Sequence, residues 1–495
     1  MSPLESGILG LYFLTLVILA VFGLHRYVMV YLYFRHRDRR ALPVPLPARL
    51  PRVTVQLPLF NEMYVVERLL ASVTRIRYPR ELLQVQVLDD STDETSAIAR
   101  KAVAEYRDQG FDIQYLHRAD RTGFKAGALD AGLAKATGEF VLIFDADFLA
   151  PPDILEKTLG QFQDPKVGMV QARWGHVNRD YSLLTQVQAV LLDGHFILEH
   201  GGRNRSGRFF NFNGTAGVWR REVIQDAGGW QHDTLTEDLD LSYRAQMRGW
   251  RFVFLQDVVS PAEIPVEMNA FKGQQFRWAK GQIQTCKKLL PTIFASKLPL
   301  PVKVEAAFHL GANFGYPLMI LLSLLMFPAM IIRYNMGWYE MMIVDVPLFM
   351  GATMSVCSFY LVSQKEALGE GWRSRIKYLP AVLAMGIGLS VNNTRAVLEA
   401  LFGVNSEFAR TPKYGVEAAG DEWRQKRYRG QINYGPFLEL SLGFYFTFMA
   451  YYAATNEIYG TLPFIFLFQF GFLYAAVMSL VQNLTKLDLV AEQEA

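Results

Sequence analysis

The sequence predicts an α/β domain with a mostly parallel, doubly wound sheet, inserted in a polytopic α-helical membrane domain. Two observations carry this. Long apolar runs lie near both ends of the chain, and between them β-branched runs alternate with segments of helical periodicity. Bulk composition agrees: across 495 residues the chain is 51% hydrophobic yet 20% charged, with a mean hydropathy of +0.11. That is too apolar for an ordinary soluble enzyme and too charged for a pure transporter. A formal net charge of +3 gives no reason to invoke nucleic acid. Two cysteines, Cys286 and Cys357, make neither a zinc site nor a disulfide framework.

The first apolar run, about Gly7 to Phe34, is long enough to span a bilayer, and Arg35, Arg37, Arg39 and Arg40 follow it directly. Positive charge after the run, and none before, marks an anchor with its amino end outside rather than a cleaved signal. "LPVPLPARLP" is a stiff linker. Apolar runs return near 305–332, 342–363, 378–403, 437–456 and 461–482. The loops Lys365–Lys377 and Arg410–Arg429 are both basic, so both belong in the cytosol. The run between them then makes no net crossing, and Asn392, Asn393, Arg395 and Glu399 suit it poorly to lipid. It is expected to be interfacial or re-entrant, which leaves five spans, or six if 378–391 crosses.

The expected organisation is an anchor over 1–40, a linker over 41–51 and a catalytic domain over 52–265. Amphipathic interface helices follow over 266–301, then two spans over 302–364 and the interfacial segment over 365–403. A cytosolic loop over 404–436, two more spans over 437–483 and a tail over 484–495 complete the chain.

In the soluble half, "VTVQLPLF", "LQVQVLDD", "IQYLHR", "FVLIFDAD" and "VGMVQARW" read as strands buried on both faces. "VVERLLASVTRI" and "ETSAIARKAVAEY" read as the intervening helices. Ligands of such sheets bind at the carboxyl ends of the strands. Asp89 and Asp90 fall at one such end, Asp145 and Asp147 at another. Either pair alone is compatible with a plain turn signal. Strand alternation, however, should place Asp145 and Asp147 on one face. Two carboxylates side by side suit a hard divalent ion, Mg²⁺ or Mn²⁺, shared with a phosphate. No Walker A pattern is present, which argues against a P-loop NTPase.

In "HDTLTEDLDLSYRAQMRGW", Thr234 and Glu237 have capping-box spacing, placing Asp238 in a first helical turn. In "FKGQQFRWAKGQ", helical spacing brings Gln274, Arg277 and Trp278 together. The lysines nearby are expected to be membrane-surface anchors.

Taken in order, "QLPLFNE", "DDSTD", "RTGFKAGAL", "DAD", "FNGTAG", "TED" and "QQFRW" resemble the family 2 inverting glycosyltransferases. The resemblance is to the cellulose-synthase-like branch and covers about Val53 to Lys288. It implies a Rossmann-like GT-A catalytic fold. "FARTPKYG", from Phe408, is similar to the gating loop of bacterial cellulose synthase, with Arg410 where that pattern has Val and with Thr411 and Lys413 matching.

The resemblance also implies roles. Asp90 would bind the donor's base and ribose, Lys125 its phosphates, and Asp147 the metal, with Asp145 nearer the nucleotide sugar. Asp238 would be the general base beside Glu237, and Arg277 would neutralise the diphosphate. Gln274, Thr411 and Lys413 join the donor-binding set. Trp278 would stack on the acceptor's terminal sugar, and Phe212, Asn213, Gly214 and Thr215 of "FNGTAG" would flank the acceptor.

The function implied is a processive membrane synthase of a β-linked glucan or mannan. It would take UDP-glucose, with GDP-mannose second, pass the polymer through its own spans and leave room for an accessory export or regulatory subunit. A lipid glycosyltransferase using the same chemistry is the alternative. A passive transporter is disfavoured by the intact set Asp147, Asp238, Arg277 and Trp278. The resemblance places the protein in a bacterial inner or plasma membrane, with its catalytic domain cytosolic.

Overall fold

The computed structural model describes residues 1–337, 342–406, 409–418, 420–430 and 434–494. Phe408, the first residue of the gating-like motif, lies outside them.

Seven strands form one mixed sheet: β1 (Val53–Leu59), β2 (Leu83–Asp89), β3 (Asp112–His117), β4 (Phe140–Ile143), β5 (Val167–His176), β6 (Gly217–Arg220) and β7 (Arg251–Ala262). Their spatial order is β3-β2-β1-β4-β6-β5-β7. The five sequence-predicted strands are β1 to β5. β6 runs antiparallel to both β4 and β5, which makes the sheet mixed. It is four residues long and rich in no β-branched run, so it escapes periodicity arguments.

Helices α2 (Val66–Val73), α3 (Thr95–Asp108) and α5 (Ile154–Thr158) contribute to a core built on Val55, Leu57, Val85 and Val87. Helices α4 (Phe124–Leu133), α8 (Arg221–Asp226) and α9 (Glu237–Met247) contribute to a second core with Val141, Ile143, Met169 and Trp219. Successive residues of one strand, Leu142 and Ile143, enter different cores. This is the doubly wound arrangement expected for strands buried on both faces.

The long apolar helices begin with α1 (Pro3–Arg35) and resume after the sheet. Between them α6 (Leu183–Asp193) and α7 (Gly201–Arg205) are joined by a π-helical turn, Gly194–His200. α10 (Met268–Ala295) leads into α11 (Leu300–Gly311), α12 (Gly315–Asn335) and α13 (Met342–Leu368). α14 (Leu379–Gly388), α15 (Ser390–Leu401), α16 (Gly435–Thr455) and α17 (Leu462–Glu494) follow.

Among the described residues, four helical stretches are long and apolar enough to cross a membrane: Pro3–Arg35, Leu300–Asn335, Pro347–Leu401 and Tyr459–Leu484. The span expected over 437–456 coincides with α16, whose apolar run is interrupted by Glu439, and falls outside these four. The segment expected to be interfacial forms two short helices that meet at Leu389. Gly388 and Gly471 let α14 and α17 approach closely: a Cβ on Gly388 would stand 2.5 Å from the Gly471 carbonyl oxygen.

Two local expectations are corrected. The Thr234–Glu237 capping box does not form, because α9 starts at Glu237 with Thr236 as its N-cap and no side-chain cap bond. Two of the lysines on the "QQFRW" helix, Lys272 and Lys280, are not surface anchors. Both are buried, with Nζ 2.5 Å from Glu439 and 2.7 Å from Glu399, respectively. Lys287 donates to the carbonyls of Ala400 and Leu401, and Lys288 lies 3.0 Å from Asp240 and 2.8 Å from Asp233. The reason is tertiary: α10 is covered by α15, α16, α17 and the catalytic domain, so its ammonium groups find carboxylates and helix-end carbonyls instead of lipid headgroups.

Candidate active site

The carboxyl ends of β1, β2 and β4 converge on a cleft with about 1050 Å³ of open space. β2 ends at Asp89, and the next residue, Asp90, lines the cleft. Arg118 grips Asp90 with a two-pronged contact, Nε to Oδ1 at 2.8 Å and Nη2 to Oδ2 at 2.5 Å. Asp89 points elsewhere. It accepts from Ser96 Oγ at 2.5 Å and Tyr115 Oη at 2.6 Å. Burial opposes its ionisation, but bonds from Ser91, Ser96 and Tyr115 win and hold its carboxyl below the usual value.

β4 ends at Ile143, before either carboxylate of "DAD". Strand alternation therefore does not govern Asp145 and Asp147; a turn does, with Phe148 N–H donating to the Asp145 carbonyl at 3.1 Å. Both nevertheless line the cleft. Each holds a cation: Lys125 Nζ lies 2.5 Å from Asp145 Oδ1, and Lys413 Nζ 2.5 Å from Asp147 Oδ2. Burial, then repulsion from Asp147, raises the Asp145 pKa against the pull of Lys125. Lys125 is raised too: burial opposes its charge, but Asp145, Glu237 and Asp238 together outweigh it. Two hard oxygen ligands in a field that already gathers ammonium groups fit a divalent ion. No group of three His, Cys, Asp or Glu side chains among the described residues is arranged around one point. Such an ion would therefore complete its shell from phosphate and water.

On the far wall, α9 presents Glu237 and Asp238, and α10 presents Gln274, Arg277 and Trp278. Asp238 sits in the first turn of α9 and accepts its own helix's Leu239 N–H at 2.8 Å. Burial first, and the neighbouring Glu237 second, push its pKa up to about 7, with Lys125 and Arg277 opposing. Burial lowers the Arg277 pKa, and Glu237, Asp238, Asp145 and Asp147 all counter it. The guanidinium thus feels four of the cleft's carboxylates.

The "FNGTAG" residues divide. Asn213 and Gly214 line the cleft. Gly214 has φ +78°, its carbonyl accepts from Lys125 Nζ at 2.9 Å, and a Cβ there would lie 3.0 Å from Asp238 Oδ2. Asn213 is held by a histidine pair: His200 Nε2–H donates to its Oδ1 at 2.6 Å, and its Nδ2 donates to His195 Nε2 at 3.0 Å. Phe212 and Thr215, expected at the acceptor, are instead fully buried. Phe212 packs edge-on to Trp219 in the core, and Thr215 Oγ1 accepts from the Asp145 N–H at 2.9 Å. Four residues on one short loop cannot all face one cleft, so the two flanking members support it from behind.

Thr411 and Lys413 reach the cleft from a loop far along the chain. Buried Glu263 receives the N–H groups of Tyr414 at 2.8 Å and Gly415 at 2.9 Å. Glu267 receives Tyr414 Oη at 2.5 Å and the Gly430 N–H at 3.1 Å. Arg410 stands 2.8 Å from Glu62, whose pKa burial pushes up to about 8 against the pull of Arg410 and Lys413.

Glu62, Arg121, Trp174 and Arg410 also line the cleft without having been singled out for roles. Arg121 covers the Phe60 ring at 3.3 Å. All but Trp174 stand within the motifs quoted above, and Trp174 closes the predicted strand "VGMVQARW".

Comparison with known proteins matches this architecture. Residues 51–281 match the family described as "Glycosyltransferase like family 2". The chain is 38% identical over 282 residues to glucomannan 4-beta-mannosyltransferase 2 of Arabidopsis thaliana, which spans 54% of this chain and 53% of that relative. It therefore spans about half the length of the curated relative it matches. The solved mannosyltransferase PcManGT from Pyrobaculum calidifontis, in complex with GDP-Man and Mn²⁺, covers 79% of this chain and is itself covered completely. At 23% identity and a TM-score of 0.51, that likeness is one of fold. S. aureus TarS 1–349 aligns over 75% of this chain and 98% of its own, with 15% identity and a TM-score of 0.38. Between the apolar helices, residues 51–281 thus form a GT-A-like mixed-sheet domain that matches the family 2 glycosyltransferases.

Proposed function

We propose that this protein transfers a hexosyl group, with inversion, from a nucleoside diphosphate sugar to an acceptor hydroxyl at the membrane face. The observation that carries the reading is one cleft holding Asp238, Arg277 and the Asp145/Asp147 pair together.

Asp238 takes the proton of the acceptor hydroxyl as that oxygen attacks the anomeric carbon from the side opposite the diphosphate. The bond to phosphate breaks, configuration inverts, and the nucleoside diphosphate leaves with the electron pair. A carboxylate whose pKa lies near 7 is matched to this task. Arg277 meets the charge developing on the diphosphate. A divalent ion, Mg²⁺ or Mn²⁺, at Asp147 with Asp145 beside it would neutralise the leaving group. Asp90, fixed by Arg118, orients the nucleoside, and Trp278 offers a flat apolar face to the acceptor sugar.

The plant relative's name favours a mannosyl donor, GDP-mannose, over UDP-glucose. The product is a β-linked mannosyl or glucosyl extension of the acceptor. Carriage of a long polymer through the spans is the less favoured part of this reading, because the cavity among the membrane helices has apolar walls. The test is incubation of purified protein and Mn²⁺ with a panel of labelled nucleotide sugars, using Asp238→Asn as the blank. Label incorporated from one donor supports the reading and names the sugar; no incorporation and no nucleoside diphosphate release from any donor sinks it.

A further inference from the structure

Behind the donor cleft lies a second chamber, sharing Asp238, Trp278, Gln274 and Asn213 with it. Its walls are mixed, with the polar side chains of Gln188, His195, Glu199, Gln282 and His309 among the apolar ones. The π-helical turn Gly194–His200 supplies two of these polar groups. Its extra residue per turn lets His195 meet Asn213 while His195 Nδ1–H donates to Glu199 at 2.9 Å.

At its inner end the chamber meets a third space along a border of Arg26, Asn313, Tyr316, Tyr360 and Gly386. The Arg26 guanidinium lies over the Phe359 and Tyr360 rings at 4.8 and 5.4 Å. Beyond this border polar side chains become scarce. The cavity among α1, α12, α13, α14 and α17 is lined by residues such as Leu16, Met319, Phe349, Leu383 and Phe468, and Thr353 is its one further polar side chain among the described residues.

We infer that the acceptor is a glycolipid, its sugar in the chamber against Asp238 and Trp278 and its hydrocarbon tail in the apolar cavity past Arg26. This rests on the glycosyltransferase reading above and names the substrate class of that site. The change in lining selects the occupant. A sugar hydroxyl among leucines and phenylalanines gives up water and finds no partner, a net loss for every residue of a polysaccharide threaded there. A hydrocarbon tail leaves no polar group unpaired, and its polar head meets donors and acceptors only on the Asp238 side of the border. The chamber and the cavity adjoin along that border, which puts both within reach of one acceptor's head and tail.

The full chain in phosphatidylcholine nanodiscs tests this in two ways. In the first, labelled donor is supplied with methyl, octyl or dodecyl glycoside, or with a soluble oligosaccharide. Dodecyl glycoside is expected to be glycosylated about tenfold or more faster than methyl glycoside. Leu383→Trp, which fills the cavity, should remove most of that preference while leaving partition of the glycoside into the nanodisc unchanged. Equal use of oligosaccharide and dodecyl glycoside, or a preference that survives Leu383→Trp, overturns the inference.

The second needs neither donor nor variant. A dodecyl glycoside with a photoreactive diazirine at its tail end is crosslinked to the unaltered protein and the labelled residue mapped. Attachment to the cavity-lining residues of α13, α14 or α17 supports the inference, and attachment only to residues outside the cavity overturns it. Because nucleoside diphosphate release without acceptor is measured alongside, loss of the glycosyltransferase reading and loss of the glycolipid inference give different results.

Discussion

The ammonium of Lys413 lies 2.5 Å from the carboxylate of Asp147, joining a loop in the last fifth of the chain to the centre of the catalytic domain. It occupies the position where the proposed reaction calls for a divalent ion. The loop is held there by backbone N–H bonds to Glu263, not by Lys413 alone. Removing the ammonium therefore leaves Asp147 unneutralised inside a loop that remains docked. Lys413→Ala is expected to tighten Mn²⁺ binding in the absence of donor by about three- to tenfold, read by electron paramagnetic resonance of free Mn²⁺. Weaker binding would mean that Lys413 and the ion do not compete.

Asp238 is expected to set the acid limb of the pH–rate profile. A base acts only when unprotonated, so a pKa raised to about 7 places the loss of activity below pH 7, where an unshifted carboxylate would still be fully ionised. The rate should fall about tenfold per pH unit on that side. Asp238→Asn should lower the rate roughly 10²–10⁴-fold and leave donor binding in place. A profile flat from pH 5 to 8 would remove Asp238 from the base role.

Glu237 is the second cause of that upward shift, after burial. Glu237→Gln removes its charge, so the acid limb should move to lower pH. The displacement should be only partial, because burial remains. A limb that moves upward would show that Glu237 acts on Asp238 by some route other than repulsion.

Gly214→Ala should damage both folding and chemistry. The residue has φ +78°, which costs a non-glycine residue about 1 kcal/mol or more, and its new Cβ would sit 3.0 Å from Asp238 Oδ2 and 3.1 Å from Lys125 Nζ. A modest drop in Tm together with a large drop in kcat is the expected signature. Loss of Tm without loss of kcat would indicate that the loop's position is not felt at Asp238.

Lys272 and Glu439 form a buried ion pair between α10 and α16. Lys272→Met alone should destabilise the protein by about 3–5 kcal/mol, because it strands the Glu439 carboxylate. Adding Glu439→Leu should restore most of that loss. A double-mutant cycle read by thermal unfolding in nanodiscs checks this, and additive losses would refute the pairing.

Much of the catalytic domain was legible from residue order. Strands β1 to β5 announce themselves because a strand covered on both faces must be apolar along its length, and helices α2 and α3 because their buried residues recur with the helical period. β6 was not legible: four residues carry too little pattern, and its place is settled by pairing with β4 and β5. The motifs located the cleft but not each side chain's direction. Phe212 and Thr215 belong to the same hexapeptide as Asn213 and Gly214, yet they face the core.

Residue types and their spacing, by themselves, determined which chemistry this chain carries. Carboxylates at strand ends, a guanidinium and an indole one helical step apart, and apolar runs of membrane length are all properties of short stretches, set by local geometry and side-chain polarity. Only the tertiary structure decided which lysines face carboxylates instead of lipid, that Lys413 meets Asp147 across 266 positions, and where the mixed chamber gives way to apolar walls at Arg26. Those outcomes depend on which distant surfaces come to lie against each other. Burial and charge pairing at such contacts are properties of the folded whole, and no window of sequence contains both partners.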